Sequence, residues 1–242
     1  MIPSTKGVNH LPTIKPEFFN YDMTRAILDG RKTATRRIVK AGGHKVEKLL
    51  YPEPTRRDAY PFSAYNCRLE KNVGLYLTPR HHHGDIIYVR ETFAEVSHLS
   101  GISDIDGPVY MADFSPEDLK AFKEKGFRWK PAIHMPKEYG RLFLRVTNVW
   151  PENLRDITEK QAMAEGISEH NSDTTGTGFA ASPDSDTFYA TATEAFAHLW
   201  NSTILPPAYP LYGWLANPMV WVYEFELISR EEAFAESGAE PW

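Results

Sequence analysis

The sequence predicts a single α+β domain: a small mixed β-barrel with short flanking helices and long loop insertions. Three observations carry this. First, "GDIIYVRETF", "RLFLRVTNVW" and "MVWVYEFELI" alternate or crowd apolar side chains as strands do. Second, the segments between them carry helix start and stop residues over short spans rather than long amphipathic runs. Third, an aromatic share of 13% and 18 prolines fit a compact, loop-rich chain better than a helical bundle. With 242 residues, 42% of them hydrophobic, the chain can bury a real core. No repeat or linker divides it, so residues 1–242 form one domain with its core at about 21–228.

Taken in order, residues 21–29 read as a short helix. Met23, Ala26 and Ile27 fall at helical spacing, Asp22 is placed to cap the start, and Gly30 suits a left-handed helix end. "TATRRIV" then leaves as a β-branched strand. Residues 41–80 show no clear period and read as an insertion or long loop. In "GDIIYVRETF" a Gly-Asp turn precedes a strand with Ile86, Tyr88 and Arg90 on one face and Ile87, Val89 and Glu91 on the other.

A second insertion, 95–126, contains "SPEDLKAFKEKG", a helix with Ser115 as cap, Pro116 in its first turn and Gly126 at its end. Residues 141–150 form another strand. Thr158 with Gln161 makes a capping box, and Gly166 closes that helix. Residues 168–185, rich in Ser, Thr, Gly and Asp, read as a mobile insertion. Residues 191–202 are helical with Ala195, Phe196, Leu199 and Trp200 as the buried stripe, and 219–228 form the last strand.

A net charge of −5 argues against a nucleic-acid coat over the whole surface. The charge is uneven, however. Residues 25–57 hold ten Lys and Arg against three Asp and Glu, whereas the tail from Glu224 is acidic. This points to a phosphate-bearing or polyanionic partner near the N-terminal third, with a solvated basic face as the plain alternative. Cys67 is the one cysteine, which excludes an intrachain disulfide and a cysteine-based zinc site; "YNCRLE" offers it no activating context. "HHH" at 81–83 does not make a metal site, because neighbouring residues of an extended chain point to opposite faces. "MIPSTKGVNH" has no apolar signal core and no apolar run approaches a membrane span, so the expected address is the cytoplasm.

The densest chemistry lies in "ILDGRKTATRRIV", where Arg31, Lys32, Arg36 and Arg37 crowd together among threonines. Such cations repel one another. Either they coat a solvated edge, or they face something negative, or they lower an amine pKa. Helix, "GRKTATRR", "GD" strand, "DITEKQAMAEGI" and closing "WVYEFELI" together resemble the ASCH domain, a PUA-like β-barrel superfamily. Gly30, Lys32, Thr35 and Arg37 match its Gly-x-Lys-x-x-Thr-x-Arg signature. The order of "WKPAIHMP", "ITEKQAMAEGI" and "WLANPMVWVYEF" is similar to that of longer ASCH-type proteins carried by phages and prophages. The likeness runs in patches from about 21 to 228 and leaves 41–80, 95–126 and 168–185 unmatched.

The resemblance implies an amidohydrolase that removes the acetyl group from N4-acetylcytidine or a related modified nucleoside. Small ASCH enzymes of that kind use a lysine, a threonine three residues later and a glutamate in a "TEK-x-A-x-x-E" segment. Lys32, Thr35 and Glu165 match these positions. A lysine with a lowered pKa can take a hydroxyl proton, and a carboxyl group can serve the departing amine. This chemistry needs neither metal nor cofactor. The broader family also implies two other classes, an RNA-binding module or a ribonuclease using the same basic pocket.

Arg31, Arg36 and Arg37 are placed to hold substrate oxygens. Tyr88, Arg90 and Glu91 sit on one strand where an inward-facing set would line a pocket; a cross-strand ion pair is the alternative for Arg90 and Glu91. Trp129 and His134, in a Pro-bounded loop, suit stacking on a base, with Trp129 otherwise a core residue. Asn217 would read a base edge or form an Asx turn before Pro218. For Thr35 and Lys32 the alternatives are a strand residue and a charge on terminal helix carbonyls.

Overall fold

The computed structural model describes residues 11–42, 45–55, 58–66, 69–96, 106–172 and 176–242. Cys67, Arg56 and Arg57 lie outside the described residues. In chain order the elements are β1 (Ile14–Phe18), α1 (Tyr21–Leu28), β2 (Ala34–Ile38), β3 (Lys45–Leu49), β4 (Tyr60–Asn66), β5 (Lys71–Leu77), β6 (Ile86–Arg90), β7 (Phe93–Val96), β8 (Gly107–Tyr110), α2 (Pro116–Glu124), β9 (Phe143–Asn153), α3 (Glu159–Ala164), β10 (Ser168–Ser172), β11 (Gly176–Ala180), α4 (Ala192–Ser202), α5 (Tyr209–Tyr212), β12 (Met219–Ile228) and α6 (Arg230–Ser237). The class is α+β.

The central sheet has the order β1-β6-β9-β12-β2. β1 runs parallel to β6, and the other neighbours are antiparallel. The first half of β12, Met219–Tyr223, reads as one apolar run because both of its faces are covered. Trp221, Tyr223 and Phe225 join Ile87, Val89, Leu144, Val146 and Phe62 in the main core. Val220 and Val222 meet Ala195, Phe196, Leu199 and Trp200 of α4 in a second core. Each such side chain contributes about 1.5–3 kcal/mol of apolar burial.

Among the described residues, no backbone ladder joins the edge strands β1 and β2, so the sheet does not close into a barrel by strand pairing. A side chain spans the gap instead. Arg37 of β2 donates from Nε to Glu17 Oε2 at 3.2 Å and from Nη2 to the Phe18 carbonyl at 3.0 Å, both on β1.

The insertion expected at 41–80 as a loop is a three-stranded antiparallel sheet, β3-β4-β5. Tyr60 and Phe62 of β4 meet Trp221 edge-on at 5.4 and 5.7 Å, which anchors this sheet on the main core. Pro61 inside β4 and a register shift between Val46 and Lys48 hide its period in the sequence. Residues 168–185, expected as mobile, hold the β10–β11 hairpin. The segment expected as one strand from Gly84 breaks after Arg90, and Phe93 begins β7, which pairs with β8 in the second insertion.

Helix α1 is capped by Asn20, whose side chain accepts from Met23 N at 2.9 Å, and not by Asp22. The Ser115 cap and the Thr158–Gln161 capping box form as read, Ser115 being also part of a box with Asp118, and Gly30, Gly126 and Gly166 take positive φ.

Candidate active site

Three local structures bring Lys32 and Glu165 together. Helix α1 ends at Asp29 and turns through Gly30, and Lys32 N then donates to the Ala26 carbonyl at 2.9 Å. Helix α3 begins on its Thr158 cap and ends on Glu165, whose N–H donates back to Gln161 and Ala162. Thr33 N donates to the Ala164 carbonyl at 2.8 Å, which clips the end of α3 to the approach to β2. Gly166 makes the junction possible. Its φ is +103°, and a Cβ there would stand 2.9 Å from Ala26 Cβ and 3.3 Å from Lys32 Cβ.

The result is a buried charge network. Lys32 Nζ donates to Glu165 Oε2 at 2.7 Å and to the Glu165 carbonyl at 2.8 Å. Arg36 Nη1 donates to Glu165 Oε1 at 3.1 Å. Arg36 also reaches Glu152 Oε1 from Nε at 3.0 Å and from Nη2 at 2.6 Å. Glu152 Oε2 accepts from Trp150 Nε1 at 2.8 Å. The side chains of Lys32 and Arg36 are 0% exposed and that of Glu165 is 4% exposed.

Burial pushes the Lys32 amine below its ordinary value. Glu165 pulls it back up, and Arg37 and Arg36 push it down again, leaving it lowered. This is the direction that the crowded cations of "GRKTATRR" imply, with burial as the larger cause.

Thr35 is also buried. It pairs across the ladder with Tyr223, whereas Arg36 pairs with Val222. Alternation therefore starts Thr35 and Arg37 on the main-core face of β2 and Arg36 on the α4 face. Among the described residues no hydrogen bond links Thr35 Oγ1 to Lys32 Nζ or to Glu165. The structure joins two members of the expected trio, Lys32 and Glu165, and sets the third, Thr35, on the face of β2 opposite Arg36.

A cavity of about 380 Å³ is lined by Gly30, Arg31, Thr33, Ala164, Ile167 and Ser168 among others; Lys32, Thr35 and Glu165 are not among its lining residues. Arg31 stands at its wall, donating to the Gly166 carbonyl at 2.7 Å and to Ser168 Oγ at 3.2 Å and pairing with Asp29 at 3.0 Å.

The other expected binding residues lie elsewhere. Tyr88 packs in a satellite core with Phe143, Phe234 and the Trp242 ring. Arg90 donates to the carbonyls of Ile133 and Met135 at 2.7 and 2.5 Å, and its guanidinium lies 5.2 Å from the Phe18 ring centroid. Glu91 is held by both nitrogens of an Arg141 fork, at 2.9 and 3.0 Å. Trp129 stacks on Phe122 at 4.3 Å inside the core of the second insertion. His134 is exposed on a short turn. Asn217 takes φ +47° and accepts from Arg155 N at 2.8 Å, a turn role. None of these six touches the Lys32–Glu165 network through a hydrogen bond.

Sequence reasoning missed Glu152, Trp150 and a second cluster on the main-core face. In the latter, Glu17 Oε1 meets buried His81 Nε2 at 3.1 Å and Arg80 at 3.2 Å, while Oε2 meets Arg37. Tyr223 stands edge-on to His81 at 5.5 Å, and burial pushes its phenol up to about 12. The available signal was an acid within an apolar strand, Glu17 in "IKPEF" and Glu152 in "VWPEN". Among the described residues no group of three or more His, Cys, Asp or Glu is placed to hold a metal ion. No described helix is long and apolar enough to cross a membrane. Comparison with protein families, with curated proteins and with solved structures gives no match in any of the three.

Proposed function

We propose that this chain is an ASCH-type amidohydrolase on an incomplete PUA-like barrel, acting on N4-acetylcytidine or a related acylated nucleoside. The observation that supports it most is the meeting of Lys32 and Glu165, 133 residues apart, in a buried site that lowers the lysine pKa. Lowering an amine pKa moves it toward the range of a useful general base.

In this reading Thr35 Oγ1 attacks the acyl carbon and gives its proton to Lys32. Lys32 passes a proton through Glu165 to N4 as the C–N4 bond breaks, and water then releases acetate from Thr35. The Thr35 hydroxyl, which starts on the face of β2 opposite Arg36, has to reach Lys32 in the loaded site. The nucleoside docks in the cavity at Arg31 and Thr33, and its acyl group must reach past Ala164 and Thr33 to the buried pair.

Purified protein should deacetylate N4-acetylcytidine, followed as loss of the acetylated absorbance band. Lys32→Met, Thr35→Ala and Glu165→Gln should each remove turnover. If Thr35→Ala keeps full activity, water is the nucleophile and the threonine step is wrong. If the wild type turns over no acylated nucleoside, the hydrolase reading fails.

One observation favours a second reading. Lys32 Nζ is satisfied by Glu165 alone and shut from solvent, as in a structural ion pair. The barrel would then be a nucleic-acid-binding module, or a ribonuclease, with Arg31 as its basic contact. Salt-dependent RNA binding lost in Arg31→Glu, with or without the appearance of new RNA ends, would mark these readings.

A further inference from the structure

We infer that the outer face of the β3-β4-β5 sheet is a binding surface for single-stranded nucleic acid, separate from the Lys32–Glu165 site. The inner face of this sheet is spent on the core: Phe62 and Ala64 are fully buried. Alternation puts Tyr65 on the opposite face, and the register pairs Pro61 with Tyr76, so both tyrosines stand outward on adjacent strands. They are 38% and 70% exposed. Between them Ser63 and Gly74 pair with each other; Ser63 is buried, whereas Gly74 is exposed with nothing within 4 Å of where its Cβ would be.

Four register steps separate the tyrosines along the strands, roughly 13 Å. That spacing suits stacking on two different bases of one extended strand. Exposed aromatic rings on a small sheet, with cations at the margins, are the physical requirements for such binding.

The charge fits the same occupant. Residues 45–77, the span of the sheet, hold six Lys and Arg against four Asp and Glu, while the rest of the chain holds 21 against 28. Lys48 pairs with Ser63 on the outward face and is exposed, whereas Lys71, paired with Asn66, alternates onto the other face at the hairpin end. A polyanion is drawn to this sheet and repelled by the remainder. The face therefore binds single strands by stacking and phosphate contact, with little sequence preference.

The test uses the full chain and fluorescently labelled single strands, RNA and DNA, of roughly 12 nucleotides. Anisotropy should show binding at about 50 mM salt that weakens steeply by about 200 mM. Tyr65→Ala and Tyr76→Ala should each weaken binding by roughly tenfold. Tyr76→Phe, which keeps the stacking ring, should bind as the wild type does. Lys48→Glu should lower the salt slope by at least about one. Turnover of acylated nucleoside should be unchanged in all four variants, so failure here is separable from failure of the hydrolase reading. Absence of binding by the wild type overturns the inference. So does binding indifferent to these substitutions, or sedimentation showing a dimer that Tyr76→Ala dissociates.

Discussion

Glu165 offers Lys32 two oxygens at once, a side-chain Oε2 at 2.7 Å and its own carbonyl at 2.8 Å. Its other carboxylate oxygen is held by Arg36. The end of α3, the approach to β2 and β2 itself are thus fastened at one carboxylate, out of solvent. Removing one member of such a pair leaves an uncompensated buried charge, at a cost of roughly 3–5 kcal/mol. Lys32→Met and Glu165→Gln should each lower stability in urea unfolding. The double variant should be less unstable than the two losses added, with a coupling of at least about 1 kcal/mol. Strict additivity would mean that the pair contributes nothing as a pair.

Gly166 should be less replaceable than Gly30, although both have positive φ. Around Gly30 a Cβ meets nothing within 4 Å, whereas at Gly166 it meets Ala26 Cβ at 2.9 Å. Gly30→Ala carries a left-handed strain of about 1–2 kcal/mol. Gly166→Ala adds a clash that must move α1 or Lys32, so its loss should be larger by at least about 1 kcal/mol. Equal losses in urea unfolding would place the whole effect in the backbone angle and none in the packing of the site.

The parts legible in the sequence were those written in local chemistry. "MVWVYEFELI" marked β12 because Met219–Tyr223 is covered on both faces and runs apolar, and beyond it Phe225 alternates with Glu224 and Glu226. Thr158, Gln161 and Gly166 marked both ends of α3 because caps act within four residues. The meeting of Lys32 with Glu165 came from the family resemblance, since no local pattern joins residues 133 apart. Arg141 as the partner of Glu91, and Glu152 as the partner of Arg36, were unreadable for the same reason: a single charge on a strand does not say which charge it will face. Asn20 displaced Asp22 as the α1 cap because both side chains can cap and only the backbone decides which residue stays extended. The β3–β5 sheet was missed where Pro61 and the bulge at Val46 and Lys48 broke the alternation.

Acid should unfold the protein through Asp85 and Glu17. Asp85 is fully buried, and burial by itself raises its carboxyl. Bonds from His82 N, Thr13 Oγ1 and Thr13 N, with Lys15 nearby, overcome this and hold it below its ordinary value. Glu17 is lowered likewise, burial being outweighed by His81, Arg37 and Arg80. For a depressed carboxyl the stabilisation is complete above the unfolded pKa and drains away as pH falls through the folded one. Stability should therefore hold above about pH 5 and decline below about pH 4. Asp85→Asn should be less stable at neutral pH and show a shallower acid decline. An unchanged acid limb in that variant would remove Asp85 as a cause.

Glu91 should give the opposite pH dependence, and more strongly once Arg141 is removed. Burial raises the Glu91 carboxyl, the Arg141 fork lowers it without full compensation, and Asp113 adds to the rise. Arg141 is itself raised above its ordinary value, burial being outweighed by Glu91 and Asp113, and its guanidinium lies 3.9 Å from the Tyr110 ring centroid. In Arg141→Met the carboxyl keeps its burial and loses its partner, so its folded pKa climbs further. A raised carboxyl binds more protons folded than unfolded, so stability falls as pH rises from the unfolded value through the folded one. Arg141→Met should lose roughly 3–5 kcal/mol at pH 7 and recover part of it near pH 5. Glu91→Gln with Arg141→Met should restore much of the neutral-pH loss by removing the stranded charge. If the single variant is equally unstable at both pH values and the second substitution rescues nothing, the loss comes from the Arg141 stack on Tyr110 and not from the buried carboxylate.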